Sequence, residues 1–190
     1  MKKGKSIKKE KDVQGSRANK AGKKLEEMVA AEFMKRGIYP ISYKEWQKRK
    51  PANALVRNVP YVNIYGRPAR TEFLLVREGF SNVRIECRSQ QVAGSVDEKL
   101  PYMFANSVAC EEHTVLLVVD GDGFKKGAKG WLADQAAAIR HKNICVQSFK
   151  EFQDWVEGIL GTSKIKVKRV YHGTKTGGTT YRGKAAGSRS

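Results

Sequence analysis

Acidic, basic and amide side chains alternate along the segment RIECRSQQ, residues 84–91. Successive side chains of a β-strand point to opposite faces, so Glu86, Arg88 and Gln90 share one face of the predicted strand. The preceding predicted strand, ARTEFLLV, carries another acid, Glu72, with apolar neighbours on its opposite face. If the two strands form a hairpin, the two carboxylates approach each other.

Neighbouring carboxylates repel each other unless a cation lies between them. Oxygen ligands suit Mg²⁺, which activates a bound water and neutralises charge that develops on a phosphate. In such a site Arg88 helps to hold the water or the phosphate, and Gln90 positions either. An ordinary Glu–Arg pair across two exposed strands explains the same spacing, so the pattern leaves both interpretations open.

A third acid lies on the first predicted helix. Apolar residues from Leu25 to Phe33 recur at helical spacing in AGKKLEEMVAAEFMKRG, and Gly37 is expected to end this helix. Glu26 falls on the flank of the apolar stripe and can face the sheet, whereas Glu27 points to solvent. Glu26 is therefore a candidate ligand, and a solvated helix acid is the alternative.

The remaining patterns are typical of one mixed α/β domain. Further strands are predicted at VPYVNIYG, NVRIECRSQ, HTVLLVVD and NICVQSF, and further helices at GSVDEKLPYMFANSVA, WLADQAAAIRH and SFKEFQDWVEGILG. The strand HTVLLVVD is apolar throughout, as in strands buried on both faces. Ser148 and Glu151 predict a capping box, while the helix before HTVLLVVD starts either at a Ser95–Glu98 capping box or in the turn with Pro101.

The net charge of +18 is concentrated at the two ends of the 190-residue chain. Residues 1–24 hold ten Lys or Arg and two acids, and residues 162–190 hold eight Lys or Arg and no acid. Mobile basic segments bind nucleic acid by releasing condensed counterions, and solubility alone is the alternative. We therefore expect a basic arm at residues 1–19, a domain at residues 20–161 and a basic tail beyond it.

Composition also bears on the compartment. No apolar run approaches the roughly 18 residues of a membrane span, and no apolar region follows the basic N-terminus as in a signal peptide. Three cysteines without a CxxC motif suit a reducing interior and argue against a zinc site. These features predict a cytoplasmic protein.

Two further polar segments are candidate contacts for nucleic acid. VVDGDGFKKGAKGW lacks the spacing of a calcium or phosphate loop, so we expect a turn there. WQKRKP, residues 46–51, is predicted as a loop that contacts a nucleic-acid groove, with a solvated loop as the alternative. The predicted DNA-binding cations are Lys23, Lys44, Lys48, Arg49, Lys50, Lys99, Lys125, Lys126 and Lys129.

The order of these motifs resembles the PD-(D/E)XK nuclease superfamily, whose fold is the restriction-endonuclease-like αβββαβ core. That pattern has a helix with Gly-x-x-x-Glu, an acid on the second strand and Glu-x-Lys on the third. The stretch IECRSQQVAGSVDEKLPY is similar more narrowly to small nucleases of bacteriophages, which act in the host-cell cytoplasm. The resemblance covers about residues 20–155 and implies Mg²⁺-dependent hydrolysis of DNA, duplex or branched, with water attacking in line with the leaving 3′-oxygen.

Site residues follow from this resemblance by position. The residues that match the motifs are Gly22, Glu26, Glu72, Glu86 and Gln90. The resemblance implies that Glu26, Glu72 and Glu86 bind Mg²⁺, or Mn²⁺ as a substitute, together with the backbone carbonyl of Cys87. Small nucleases of this fold often act as dimers, which makes a homodimer a further expectation.

The sequence departs from the superfamily pattern at two positions. Arg88 stands where the motif has lysine, and Glu72 replaces an aspartate. Arginine cannot lose its proton, so Arg88 cannot serve as a base, although it can orient a nucleophile or stabilise charge. The two functions that remain are a metal-dependent DNA endonuclease, active or weakened by Arg88, and a non-catalytic DNA- or RNA-binding protein on the same fold.

Overall fold

The computed structural model describes residues 20–91, 97–125 and 127–161. In this part of the chain, helices cover both faces of a mixed sheet. The helices are α1 (residues 20–34), α2 (Tyr43–Arg49), α3 (Leu100–Ala109), α4 (Ala128–Ala138) and α5 (Phe149–Leu160). The strands are β1 (Pro40–Ser42), β2 (Ala54–Val62), β3 (Pro68–Val76), β4 (Val83–Ser89), β5 (Thr114–Asp120) and β6 (Asn143–Gln147).

The strands lie side by side in their order along the chain, from β1 to β6. Strands β2, β3 and β4 are antiparallel neighbours, whereas β1 is parallel to β2, and β4, β5 and β6 are parallel to one another. Residues 115–119 of β5 are buried without a break, as the apolar run HTVLLVVD predicts for a strand covered on both faces. The predicted α/β fold class is confirmed.

Helices α1 and α5 pack on one face of the sheet. Leu25 and Phe33 of α1 and Phe152 of α5 share a core cluster with Ile85 and Cys87 of β4. Ile85 and Cys87 therefore point away from the face that carries Glu86, as the period of two predicts.

The opposite face is covered by two groups of helices. Leu100 of α3 and Leu132 of α4 pack on Val115 and Leu117 of β5. Helix α2 covers the neighbouring part of this face through a second cluster built on strands β2 and β3. The face with Glu86 is thus flanked by α2 on one side and by α3 and α4 on the other.

Helix α1 is terminated by the glycine that the sequence indicates. Gly37 has φ +82°, its N–H donates to the carbonyl of Met34 at 3.0 Å, and the N–H of Ile38 donates to the carbonyl of Phe33 at 3.1 Å. This is the Schellman arrangement, in which a left-handed residue lets the chain satisfy the last helical carbonyls. It turns the chain toward β1 and leaves α1 lying on the sheet.

The prediction of a loop at residues 46–51 is wrong, because most of that segment lies in α2. Ser42 caps the helix by accepting from the N–H of Glu45 at 3.1 Å, and Lys50 ends it in the left-handed conformation. Trp46 packs into the cluster on β2 and β3, which stabilises a helix too short to form alone. Strand β1, immediately before it, was not predicted either.

Helix α3 begins at Leu100 with Pro101 in its first turn, after a 3₁₀ turn at Asp97–Lys99, so that alternative start is confirmed. Ser95 of the other start, the arm at residues 1–19 and the tail at residues 162–190 lie outside the described residues. None of the helices in the described ranges is long and apolar enough to cross a membrane.

Candidate active site

The antiparallel pairing of β3 with β4 brings the two strand acids together. Phe73 lies opposite Ile85, so the next residues along the two strands, Glu72 and Glu86, point to the same face. Each of the two carboxyl groups is close enough to shift the pKa of the other. The hairpin that the sequence indicates therefore places both carboxyl groups at one point.

The two carboxyl groups differ in their affinity for protons. Burial, together with the charge of Glu72, raises the pKa of Glu86 to about 8. Burial also opposes ionisation of Glu72, but the hydrogen bond from Glu86 and the charge of Arg88 outweigh it and lower the pKa of Glu72. Near neutral pH the pair therefore shares one proton.

A buried arginine, which sequence reasoning missed, holds Glu86 in place. The side chain of Arg84 is only 2% exposed, and its Nε and Nη2 atoms lie 2.8 Å and 2.6 Å from Oε1 of Glu86. Its guanidinium also covers the ring of Tyr61, with Cζ 3.8 Å from the ring centroid. The available signal was its position, since Arg84 lies two residues before Glu86 and on the same face.

Arg88 lies among the oxygen atoms of the site. Its Nη1 donates to Oε1 of Glu72 at 2.8 Å and to the backbone carbonyl of Cys87 at 2.7 Å, and its Nη2 is 4.0 Å from Oε2 of Glu86. Burial disfavours its charge, but Glu72 and Glu86 outweigh this and raise the pKa of Arg88 further. One guanidinium nitrogen therefore donates to two oxygens, on Glu72 and Cys87, that the resemblance described above implies as metal ligands.

Glu26 of α1 approaches this group from the other face. Burial and the charge of Glu72 raise the pKa of Glu26, while Arg57, Arg88 and Lys23 act in the opposite direction. Glu26 is thus within electrostatic range of Glu72, as its position on the flank of the helix stripe indicates. In the described ranges, however, no three side chains of His, Cys, Asp or Glu are grouped as a metal site.

A comparison with known protein families gives a match over most of the chain. The family model for the PD-(D/E)XK nuclease superfamily domain matches residues 17–160. The chain belongs to this superfamily. No relative among curated proteins matches it.

Membership in the PD-(D/E)XK superfamily gives the chain a nuclease-type function. The superfamily implies a nucleic-acid substrate and hydrolysis as the reaction class, and its proteins generally use divalent metal ions. The mixed sheet with helices on both faces is consistent with the restriction-endonuclease-like fold.

The oxygens present suit the divalent ion that PD-(D/E)XK nucleases use. The carboxylates of Glu72 and Glu86 and the carbonyl of Cys87 are hard oxygen donors of the kind that Mg²⁺ and Mn²⁺ accept, with water completing the coordination. The donor set fits such an ion when Arg88 no longer donates to Glu72 and to the carbonyl of Cys87 and when Glu86 has lost its proton. Glu26 is not grouped with these donors, so its part as a ligand stays a prediction.

Gln90, the glutamine of the superfamily pattern, is buried and anchored. Its Nε2 donates to the carbonyl of Gly123 at 2.6 Å, while its Oε1 has no partner among the described residues. The loop after β5 is held against Gln90, because the carbonyl of Gln90 accepts from the N–H of Gly123 at 2.8 Å. At Gly121, a Cβ atom would lie 2.3 Å from that same carbonyl, so only glycine fits.

The predicted DNA-binding cations are distributed over several elements. Those exposed in the described ranges are Lys23, Lys44, Lys48, Arg49, Lys50, Lys99 and Lys125. Lys129 instead holds the loop after β5, since its Nζ donates to the carbonyl of Gly121 at 2.7 Å. Lys126 lies outside the described residues. DNA contact by the exposed cations stays a prediction.

Proposed function

We propose that this protein is a metal-dependent endonuclease that hydrolyses DNA phosphodiester bonds. The observation that carries the proposal is the close approach of the carboxyl groups of Glu72 and Glu86, with Nη1 of Arg88 donating both to Glu72 and to the carbonyl of Cys87. By the resemblance given in the sequence analysis, these groups correspond to the acids and the metal-binding carbonyl of the superfamily pattern. Burying two acids side by side costs stability, and a bound divalent ion, which this donor set suits, would offset that cost.

A bound Mg²⁺ or Mn²⁺ ion would activate a water molecule and neutralise charge on the scissile phosphate. Glu72, Glu86 and the carbonyl of Cys87 are the groups that would hold it. Arg84 keeps Glu86 oriented, since its hydrogen bond from Nε and the ion-pair contact of its Nη2 both go to Oε1, while Oε2 lies 4.0 Å from Nη2 of Arg88. Arg84 is thus a positioning residue.

Arg88 and Gln90 have separate tasks in this scheme. The guanidinium of Arg88 is a planar donor fork that binds a phosphate oxygen well and cannot act as a base. The unpartnered Oε1 of Gln90 is a fixed acceptor that can orient a water by accepting a hydrogen bond from it. Gln90 is rigid because its amide nitrogen is tied to Gly123.

A second candidate function, non-catalytic nucleic-acid binding, is favoured by one observation. Arg88 occupies two oxygens of the donor set, Oε1 of Glu72 and the carbonyl of Cys87. If Arg88 keeps these contacts in the presence of DNA and metal, the site holds no divalent ion and performs no hydrolysis. The fold then serves for binding only.

A cleavage assay separates the two functions. The chain, Glu86→Gln and Arg88→Lys are incubated with Mg²⁺ or Mn²⁺ and with supercoiled plasmid, linear duplex or branched DNA. Glu27→Gln is the matched control, because Glu27 is an exposed acid on α1. We expect the chain and the control to cut and Glu86→Gln to lose at least a hundredfold in rate, on the order of a lost catalytic group.

Three outcomes contradict the proposal. Cleavage that persists in Glu86→Gln would place the reaction elsewhere. Binding without cleavage in the chain and in Arg88→Lys alike would support the non-catalytic function. Cleavage by Arg88→Lys alone would show a nuclease site that Arg88 silences.

A further inference from the structure

The turn between β2 and β3 exposes large apolar side chains. Val62 is 71% exposed, Ile64 41% and Tyr65 70%, and they are close neighbours in sequence. Single exposed apolar residues are ordinary, but a cluster of them marks a surface that binds something. This turn immediately precedes β3, the strand that carries Glu72.

The turn is held rigidly. Oδ1 of Asn63 accepts from the N–H of Tyr65 at 2.9 Å and from the N–H of Arg67 at 3.1 Å. The N–H of Ile64 donates to Oδ1 of Asn106 on α3 at 3.0 Å, and Asn106 is buried. The turn therefore presents its side chains in a fixed position, as a binding surface requires.

Three tyrosines connect this turn to the candidate active site, and we call them the tyrosine strip: Tyr61, Tyr102 and Tyr65. The rings of Tyr65 and Tyr102 are stacked, with centroids 5.5 Å apart and planes at 20°. Tyr61 lies under the guanidinium of Arg84, which holds Glu86. Burial raises the pKa of Tyr61, and the charges of Glu86 and, more weakly, Tyr102 add to this shift, so Tyr61 lies near both.

Cations accompany the exposed end of the strip. Arg67 and Arg70 are exposed at the start of β3, and Lys99 is exposed one turn before Tyr102. The whole chain carries a net charge of +18. An apolar surface for a protein partner does not need this charge, whereas aromatic rings beside cations are the usual platform for single-stranded nucleic acid.

We propose that Tyr65, stacked on Tyr102, is a platform for unpaired bases of the substrate, with Arg67 and Arg70 on its phosphates. Bases inside a duplex are already stacked on each other, so an exposed flat ring selects bases that are not. The substrate class is then DNA with a single-stranded segment next to the scissile phosphate, as in overhangs, flaps and junctions. This inference rests on the proposed function, since it takes the duplex end to lie at Glu72 and Glu86.

The first test measures binding in EDTA, so that cleavage plays no part. Fluorescence anisotropy compares a blunt duplex with the same duplex carrying a ten-nucleotide overhang, for the chain, Tyr65→Phe and Tyr65→Ala. Tyr39→Ala is the matched control, because Tyr39 is an exposed tyrosine (60%) away from the turn. It precedes β1, whose first residue pairs with Leu55 near the start of β2, whereas the turn follows the end of β2. We expect Tyr65→Ala to weaken overhang binding roughly tenfold, with blunt-duplex binding unchanged and Tyr65→Phe close to the chain.

The second test locates the base directly. An overhang carrying 5-iodouracil is irradiated in complex with the full chain, and the cross-linked peptide is identified by mass spectrometry. Attachment at Tyr65 or Tyr102 is the expected result. Attachment confined to other segments overturns the proposal.

Other outcomes identify a different occupant of this surface. Equal weakening of blunt and overhang binding would assign the turn to a duplex groove. A dimer that Tyr65→Ala dissociates in sedimentation, with DNA binding unchanged, would assign it to a second copy of the chain.

If the chain never cuts DNA but the overhang effect and the cross-link appear, the proposed function fails and the platform stands. If it cuts blunt and overhang DNA alike and Tyr65→Ala changes nothing, only the platform fails.

Discussion

At the scale of single residues, the hydrogen bonds of Arg88 bear on whether the candidate active site can bind a metal ion. Its Nη1 lies 2.8 Å from Oε1 of Glu72 and 2.7 Å from the carbonyl of Cys87, which are distances of charge-assisted hydrogen bonds. A divalent ion would need the same two oxygens. The arginine and the ion therefore compete, and each bond that Arg88 keeps reduces the affinity for metal.

Replacing Arg88 by lysine tests this competition. Lysine has one compact ammonium group in place of the planar fork, so it should hold both oxygens less well. We expect Arg88→Lys to bind Mn²⁺ roughly tenfold more tightly, since a bond to a charged group contributes about 1.5–3 kcal/mol. Electron paramagnetic resonance titration of free Mn²⁺ measures this without any cleavage. Arg49→Lys, at an exposed pair with Glu45, is the control, and equal affinities in all three proteins would refute the competition.

The shared proton of Glu72 and Glu86 predicts a pH dependence of stability. Glu86 has an ordinary pKa of 4.5 when unfolded and a pKa of about 8 in the fold. The folded chain keeps a proton that the unfolded chain releases between these values, so the stabilisation is full below pH 4.5 and is lost as the pH rises through 8. Glu72, with its lowered pKa, acts in the opposite sense only in acid.

Urea unfolding in EDTA between pH 5 and pH 9 measures this effect. The free energy of unfolding should fall with rising pH in the chain and in Glu27→Gln, and it should fall less steeply in Glu86→Gln. The same slope in Glu86→Gln would show that Glu86 does not carry the proton. Saturating Mg²⁺ should reduce the slope in the chain, because the ion replaces the proton between the two acids.

At the scale of elements, the helix caps hold the layers of the fold in place. Ser148 and Glu151 form the predicted capping box of α5, with the serine Oγ accepting from the N–H of Glu151 at 3.3 Å. Helix α5 then buries Phe152 and Val156 against the same cluster that supports β4. Loss of the cap should therefore weaken the domain and not only the first turn of α5.

We expect Ser148→Ala to reduce the free energy of unfolding by about 1 kcal/mol, the usual contribution of a serine cap. Urea unfolding at one pH measures the change. Ser81→Ala is the control, since Ser81 is exposed in the connection before β4. An equal effect of both substitutions would show that the cap contributes nothing specific.

Much of the sheet could be predicted because its signals are local. The period of two in β3 and β4 places Glu72 and Glu86 on one face, and a short connection makes the strands neighbours. Gly37 marks the end of α1 for an equally local reason, its left-handed backbone. Helix α2 also had a local signal, Ser42 and Glu45 at capping distance, but the cations around Trp46 favoured the prediction of a loop.

The details of the site depend on contacts that sequence spacing does not contain. The bond from Gln90 to Gly123 joins residues 33 positions apart and follows from the parallel pairing of β4 with β5. The burial of Arg84 requires the ring of Tyr61 from another strand. The bridge made by Arg88 depends on its side-chain conformation, which a motif does not specify.

At the scale of the whole molecule, most of the net positive charge lies at the two ends of the sequence, and the acids of the candidate active site lie between them. The buried acids lie in the middle of a chain whose residues 25–161 carry a net charge of only +2, while each end carries +8. Acids that bind a metal also repel DNA, so affinity for the substrate has to come from elsewhere. Basic ends can supply that affinity by releasing the counterions condensed on DNA.

This separation predicts that affinity and rate can be changed independently. Changing the eight Lys and Arg of residues 162–190 to Gln should weaken DNA binding and flatten its salt dependence, since the slope of log affinity against log salt scales with the phosphates neutralised. The cleavage rate at saturating DNA should stay within about twofold, because the groups proposed to act at the site do not include these residues. Anisotropy over a range of salt concentrations and single-turnover cleavage provide the two measurements.

The matched comparison is neutralisation of Lys44, Lys48, Arg49 and Lys50 on and after α2, which removes four cations from the folded domain instead. If α2 contacts DNA as the sequence indicates, this variant also flattens the salt dependence, by about half as much because half as many charges are lost. A drop in the saturated cleavage rate in the 162–190 variant would contradict the separation. It would mean that these charges act during the reaction itself, and that the acids of the site rely on them as a source of positive charge in addition to Arg84 and Arg88.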